Sequence, residues 1–188
     1  MDKDRFKYKV ITIPNLLSFF RIALIPFFVW AYSFRDDIVL SMVILVLSAL
    51  TDIVDGFVAR RFAMVSNVGK ILDPIADKLT QLAVLACLCV RFPRMIVPLV
   101  VLVVKEVANG IIGLVMMHKN RDPLSAVWHG KLTTVVIYLT TVAHLVWPRD
   151  PDIPDALSYT MIGLSLFMMM LSLTLYTVRN IKIIKEKK

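Results

Sequence analysis

An all-α integral membrane protein with six transmembrane helices is the fold class this sequence predicts, and three observations predict it. Apolar residues make up 58% of the 188 residues, above the roughly 45–50% of soluble domains. They gather in six segments, at 14–34, 38–60, 71–91, 94–117, 126–147 and 156–178, each near the ~20 residues a helix needs to cross a bilayer. The mean hydropathy is +0.74, which excludes a disordered chain, a collagen and an ordinary soluble enzyme. No internal repeat or low-complexity stretch divides the chain, so 1–188 reads as a single membrane domain.

The polar, basic residues 1–9 are followed by an apolar stretch that is too long for a signal-peptide core and lacks a small-residue cleavage site. Pro14 suits a helix start or a bend. Phe6 to Leu17 fits a short interfacial helix lying on the membrane before the first span. Loops rich in Pro, Asp and Arg separate the spans, as in Arg35-Asp36-Asp37, Arg91-Phe92-Pro93-Arg94 and Trp147-Pro148-Arg149-Asp150-Pro151. Cys87 and Cys89 are two apart in an apolar run, face different ways on a helix and read as packing residues. His118, His129 and His144 lack ligand spacing and read as hydrogen-bonding residues at interfaces, and the methionine clusters read as packing or lipid-facing groups.

Charge sets the orientation. The formal charge of +8 would suggest nucleic acid in a soluble chain. With the N-terminus in the cytoplasm, however, fifteen of the 22 Lys and Arg fall on that side, from Lys3 through Arg60, Arg61, Lys119 and Arg121 to Lys188. Four (Arg35, Arg91, Arg94 and Arg149) fall outside, and Arg21, Lys78 and Lys105 lie within spans. By the positive-inside rule both termini are expected in the cytoplasm. The charge then needs no nucleic-acid partner, and the basic tails are expected to meet anionic lipid headgroups.

Four carboxylates break the apolar pattern. Asp52 and Asp55 sit near the end of the second segment, and Asp73 and Asp77 near the start of the third. Acids at membrane depth are costly and mark function by default. The i, i+3 and i, i+4 spacings put each pair on one helix face, and facing helices would surround one cavity with four carboxylates. Like charges that close need protonation or cations. Divalent ions that favour oxygen ligands, Mg²⁺ or Mn²⁺, fit such a set, and two of them about 4 Å apart would match a two-metal phosphoryl-transfer site. The bland alternative is four interfacial helix caps, for which Asp73 before Pro74 is individually suited. Gly56, Ala59 and Gly69 suit either close ligand approach or helix packing, and Arg60 and Arg61 suit either a phosphate or simple orientation signalling.

Residues 52–77 read D-I-V-D-G-F-V-A-R-x₈-G-K-I-L-D-P-I-A-D. This resembles the signature of the CDP-alcohol phosphotransferases, D-x₂-D-G-x₂-A-R-x₈-G-x₃-D-x₃-D, at every fixed position and spacing. The opening Ile13-Pro14-Asn15-Leu16-Leu17…Arg21, the six-span plan and Gly130-Lys131-Leu132-Thr133-Thr134 are also similar to the family. The resemblance implies transfer of a phosphatidyl or similar group from a CDP-alcohol, here CDP-diacylglycerol, to a hydroxyl acceptor, with release of CMP. It implies two divalent cations, Mg²⁺ or Mn²⁺, on Asp52, Asp55, Asp73 and Asp77, with Asp77 as general base. Asp52, Gly56, Ala59, Arg60 and Gly69 would border the CDP moiety. A homodimer in a bacterial inner (cytoplasmic) membrane, its active site toward the cytoplasm, is also implied.

For the acceptor, the short length and the opening resemble members that use glycerol 3-phosphate, an anion that needs cations in its pocket. Lys105, Lys119, Arg121 and Lys131 are the candidates, Lys105, Lys131 and Arg121 foremost. Lys105-Glu106 stands where those members have Arg-Glu, and Ile111-Ile112-Gly113 stands where they have Gly-Leu-Arg, so one phosphate-binding Arg is replaced by Gly113. Residues 122–127 resemble members that make cardiolipin from phosphatidylglycerol, and another alcohol such as inositol phosphate is a further option. Lys105-Glu106 also fits an inter-helix ion pair, and Lys131 an interfacial anchor. A cation or proton transporter would instead spread its acids through the bilayer depth, usually over repeated helices. A scaffold would give no reason for four acids on matched faces.

Overall fold

The computed structural model describes residues 12–61, 69–118, 128–147 and 152–185, and among these the regular elements are all helical. The helices are α1 (Ile13–Val29, continued by a π-helical turn Trp30–Phe34), α2 (Ile38–Arg61), α3 (Gly69–Arg91), α4 (Ile96–His118, after a 3₁₀ turn Pro93–Met95), α5 (Trp128–Val146) and α6 (Asp155–Lys185). They match the six apolar segments, with every helix but α5 extending past an expected edge, α6 by the most. Two compact units divide the chain, Met1–Val90 and Arg91–Lys188.

Among the described residues, four stretches are long and apolar enough to cross a membrane: Ile13–Phe34, Ile38–Asp55, Pro93–Met116 and Asp155–Ile181. The apolar part of α5, Gly130–Val146, is shorter. In α3, Lys70, Asp73, Asp77 and Lys78 occupy the first turns, so its apolar run falls short of a full span. The expected interfacial helix over Phe6–Leu17 is not a separate element from Ile13 onward, where α1 is continuous. Its residues before Thr12, like Lys119, Arg121 and residues 122–127, lie outside the described residues.

In the first unit, Thr12 caps α1, its hydroxyl accepting from the Asn15 amide at 3.4 Å, and Pro14 fills the first turn, where no amide partner is needed. Pro26 cannot donate within the helix. The buried face of α1 is Pro14, Asn15, Ser18, Arg21 and Phe28, a helical stripe that is polar at its start and apolar beyond. Asp37 caps α2, with Oδ1 accepting from the Leu40 amide at 2.9 Å. The buried stripe of α2 is Ser41, Ile44, Ser48, Thr51 and Asp55. Small hydroxyl residues let helix backbones approach closely and satisfy themselves locally, as Thr51 does by donating to the Ser48 carbonyl at 2.7 Å. On α3 the stripe is Ala76, Thr80, Val84 and Leu88.

In the second unit, α5 and α6 pack through a buried polar ladder. Thr133 donates to the Met168 carbonyl at 3.0 Å, and the Thr140 and Ser165 hydroxyls lie 2.7 Å apart. His144 Nδ1 lies 2.8 Å from the Thr140 carbonyl and Nε2 2.9 Å from the Ser158 hydroxyl. A carbonyl only accepts, so Nδ1 donates and Nε2 accepts from Ser158. Phe92 meets the same ring edge-on at 5.3 Å. Here the reading of His144 as a hydrogen-bonding residue agrees with the structure. Ser158→Ala removes the hydroxyl that meets Nε2 and is expected to lower unfolding stability by about 0.6–1.7 kcal/mol. Thr160→Ala on the exposed face of the same helix, where the hydroxyl only donates back to the Ala156 carbonyl, serves as the near-neutral control in thermal unfolding in detergent.

Candidate functional site: a carboxylate cluster on one arginine

Three of the four predicted acids converge. Asp52 and Asp55, on consecutive turns of α2, and Asp73, one turn into α3, offer carboxylate oxygens that all lie within 4.8 Å of one another. The i, i+3 spacing puts Asp55 in the buried stripe of α2 and Asp52 at its margin. Their side chains are 4% and 48% exposed, against 47% for Asp73.

A cation already sits among them. Arg21, on the polar half of the α1 stripe, is 2% exposed in its side chain. Its Nη2 donates to Asp55 Oδ2 at 2.7 Å and lies 2.7 Å from Asp52 Oδ1, while Nη1 donates to Asp73 Oδ1 at 3.3 Å. Arg21 Nε is buried with no hydrogen-bond partner. One guanidinium thus bridges three carboxylates from two other helices. With all three carboxylates ionised the group keeps a formal charge of −2.

That arrangement fits a divalent cation. The donors are hard carboxylate oxygens, which suit Mg²⁺ and Mn²⁺. They are close enough to share one centre, positive charge is already accommodated there, and the residual charge is negative. Asp52, Asp55 and Asp73 are the residues that would hold a metal.

The other expected site residues are placed as follows. Asp77 is half-buried on α3, one turn beyond Asp73, and is not among the three converging acids. Gly56, Ala59 and Arg60 lie on the last turns of α2 and Gly69 opens α3, so the backbone brings the whole motif to the ends of two helices flanking the cluster. In the second unit, Lys105 is buried on α4 with its ammonium paired to the neighbouring Glu106 carboxylate, which makes it an ion pair within one helix. Lys131 is exposed at the start of α5. The Gly113 position on α4 has open space around it.

Arg21 is the residue that sequence reasoning leaves without a role. The opening-segment resemblance includes it but assigns it no partner. The signal that marks it is simple: a guanidinium inside an apolar segment needs a counter-charge, and the nearest motif rich in acids is the one at 52–77.

Comparisons with known proteins give the family of the chain. A family model described as CDP-alcohol phosphatidyltransferase matches residues 11–178. Proteins named CDP-diacylglycerol–glycerol-3-phosphate 3-phosphatidyltransferase are similar along most of the chain. The one from Sodalis glossinidius is 32% identical over 145 residues, covering 74% of this chain and 79% of its own. That from Pectobacterium atrosepticum is 33% identical over 140 residues, covering 72% and 76%. That from Salmonella paratyphi A is 30% identical over 170 residues, covering 88% and 90%. With the family model spanning nearly the whole chain, this chain belongs to the CDP-alcohol phosphatidyltransferase family.

Proposed function

We propose that the protein transfers the phosphatidyl group of CDP-diacylglycerol to the hydroxyl of glycerol 3-phosphate, releasing CMP and forming phosphatidylglycerophosphate for phospholipid synthesis. The observation that carries the reading is the convergence of Asp52, Asp55 and Asp73 within 4.8 Å, in a family member whose relatives are named for this reaction.

In this reading Asp52, Asp55, Asp73 and Asp77 hold two divalent cations, Mg²⁺ or Mn²⁺. When bound, such ions would supply positive charge to offset the negative charge that builds on the pyrophosphate during transfer. The acceptor oxygen forms a bond to the phosphorus that carries the diacylglycerol. The bond from that phosphorus to the bridging oxygen breaks, and CMP leaves with the electron pair. Asp77 takes the proton of the acceptor hydroxyl. Its place on α3, one turn from Asp73, supports this role, because a base must lie within reach of the proton it takes. Asp52, Gly56, Ala59, Arg60 and Gly69 border the CDP moiety, where glycine and alanine admit a ligand close to the backbone. Lys105, Lys131 and Arg121 supply cationic contacts for an anionic acceptor.

The chain acts as one domain with six membrane crossings, both termini and the active site on the cytoplasmic side of a bacterial inner membrane, and it works as a homodimer among lipids. Support comes from the charge asymmetry of the loops and from helix length. Twenty-three residues in α3 reach about 35 Å at 1.5 Å per residue, which allows a crossing of a ~30 Å core with its charged first turns at the cytoplasmic interface.

The test is CMP release from CDP-diacylglycerol by the purified full chain with Mg²⁺ or Mn²⁺, each acceptor supplied separately: glycerol 3-phosphate, phosphatidylglycerol, inositol phosphate and serine. Release with glycerol 3-phosphate alone, abolished by EDTA, is expected. Release only with phosphatidylglycerol would move the assignment to cardiolipin synthesis, consistent with Gly113 in place of an arginine. No release with any acceptor would overturn the reading.

A further inference from the structure

We propose that Arg21 is a built-in counter-cation of the carboxylate site and competes with divalent cations for the oxygens of Asp52, Asp55 and Asp73, so that metal loading is an exchange rather than a simple addition. The inference rests on reading these carboxylates as a divalent-cation site. Three observations carry it. The Arg21 side chain is 98% buried and aimed into the cluster, with Nη2 at 2.7 Å from two carboxylates and Nη1 at 3.3 Å from the third. The seat a metal would take is therefore filled by another positive group. Arg21 Nε has no partner, so the guanidinium meets only part of its donor capacity in this position. A small cavity also lies beside its stem, lined by Leu24, Ile25, Phe28, Ile44 and Ala83.

The physical consequence is a linkage. Without metal, three carboxylates at membrane depth would repel one another and spread the ends of α2 and α3 apart. Arg21 holds them together from α1 and keeps the site assembled. When a metal binds, it must take negative charge that Arg21 has already claimed. Binding that weakens one partner's hold weakens the other's by the same factor. Arg21 is thus a positioning residue: it stabilises the empty site and lowers the affinity of the filled one.

The experiment uses the full chain in detergent, with free Mn²⁺ read by electron paramagnetic resonance and thermal unfolding followed in EDTA and in excess Mn²⁺, for wild type, Arg21→Gln and Arg21→Lys. Arg21→Gln is expected to bind Mn²⁺ about fivefold or more tightly, the size of ordinary coupling between sites. Its melting temperature is expected to fall much further in EDTA than in Mn²⁺. Arg21→Lys keeps the charge but cannot bridge three carboxylates, and should fall between. An Arg21→Gln chain that folds only with Mn²⁺ present is the strong form of the same result. An Arg21→Gln affinity that is unchanged or weaker overturns the inference, as does a variant unfolded with and without metal. A wild-type chain that binds no Mn²⁺ overturns the cation-site reading itself, which separates the two failures.

Discussion

Asp77→Asn is expected to lower CMP release by about 10²–10⁴-fold, the range that a positioned general base contributes, with the chain still folded. The carboxamide has nearly the shape of the carboxylate but cannot take the acceptor proton. The ion pairs of Arg21 run to Asp52, Asp55 and Asp73, and this substitution keeps all three of those carboxylates. An effect on kcat and on kcat/KM of equal size would mark an interaction made only in the transition state. Mn²⁺ binding separates the two roles given to this residue. If the loss of rate comes with an equal loss of Mn²⁺ affinity, Asp77 acts as a ligand and not as the base. A rate near that of wild type removes Asp77 from the chemistry altogether.

Asp55→Asn and Asp52→Asn should both abolish metal-dependent turnover but differ sharply in stability. The Asp55 carboxylate is 4% exposed and receives the 2.7 Å bond from Arg21 Nη2. Losing a buried hydrogen bond between charged groups costs about 1.5–3 kcal/mol. Asp52 makes an equally short contact but is 48% exposed, and water replaces much of what is lost, so its substitution should cost under about 1 kcal/mol. Unfolding of the metal-free chains in detergent reads the difference directly. Equal losses in the two variants would mean that burial does not control the strength of these pairs, and that Arg21 is held by the cluster as a whole.

The architecture explains why one arginine can serve three acids. The stripes of α1 and α2 change character along their length, from Asn15, Ser18 and Arg21 to Phe28 on one and from Asp55 and Thr51 to Ile44 on the other. Polar groups therefore meet at one end of the first unit and apolar groups at the other. The second unit has a polar ladder from Thr133 to His144 against α6, built from hydroxyls, backbone carbonyls and one imidazole. That contrast separates a helix–helix fastening from a site: the ladder joins polar groups of two packed helices, whereas the carboxylate cluster keeps unbalanced charge.

The sequence alone determined the helical class, the places of the six helices and the reaction family. Hydropathy over about 20 residues and spacing within two turns are local properties, so the apolar segments and the 52–77 motif were legible without any fold. The i, i+3 and i, i+4 spacings already placed Asp52 with Asp55 and Asp73 with Asp77 on shared faces. Only the tertiary structure decided which of the acids converge, that Asp55 is buried while Asp52 is half open, that Lys105 turns its charge onto Glu106 and that His144 is locked between Thr140 and Ser158. Above all it decided the partner of Arg21, which lies 34 residues before Asp55 and 52 before Asp73 in the chain. No local pattern pairs groups that far apart. The pairing follows from how three helices turn their polar stripes toward one another, because a charge buried among them is stable only where an opposite charge meets it.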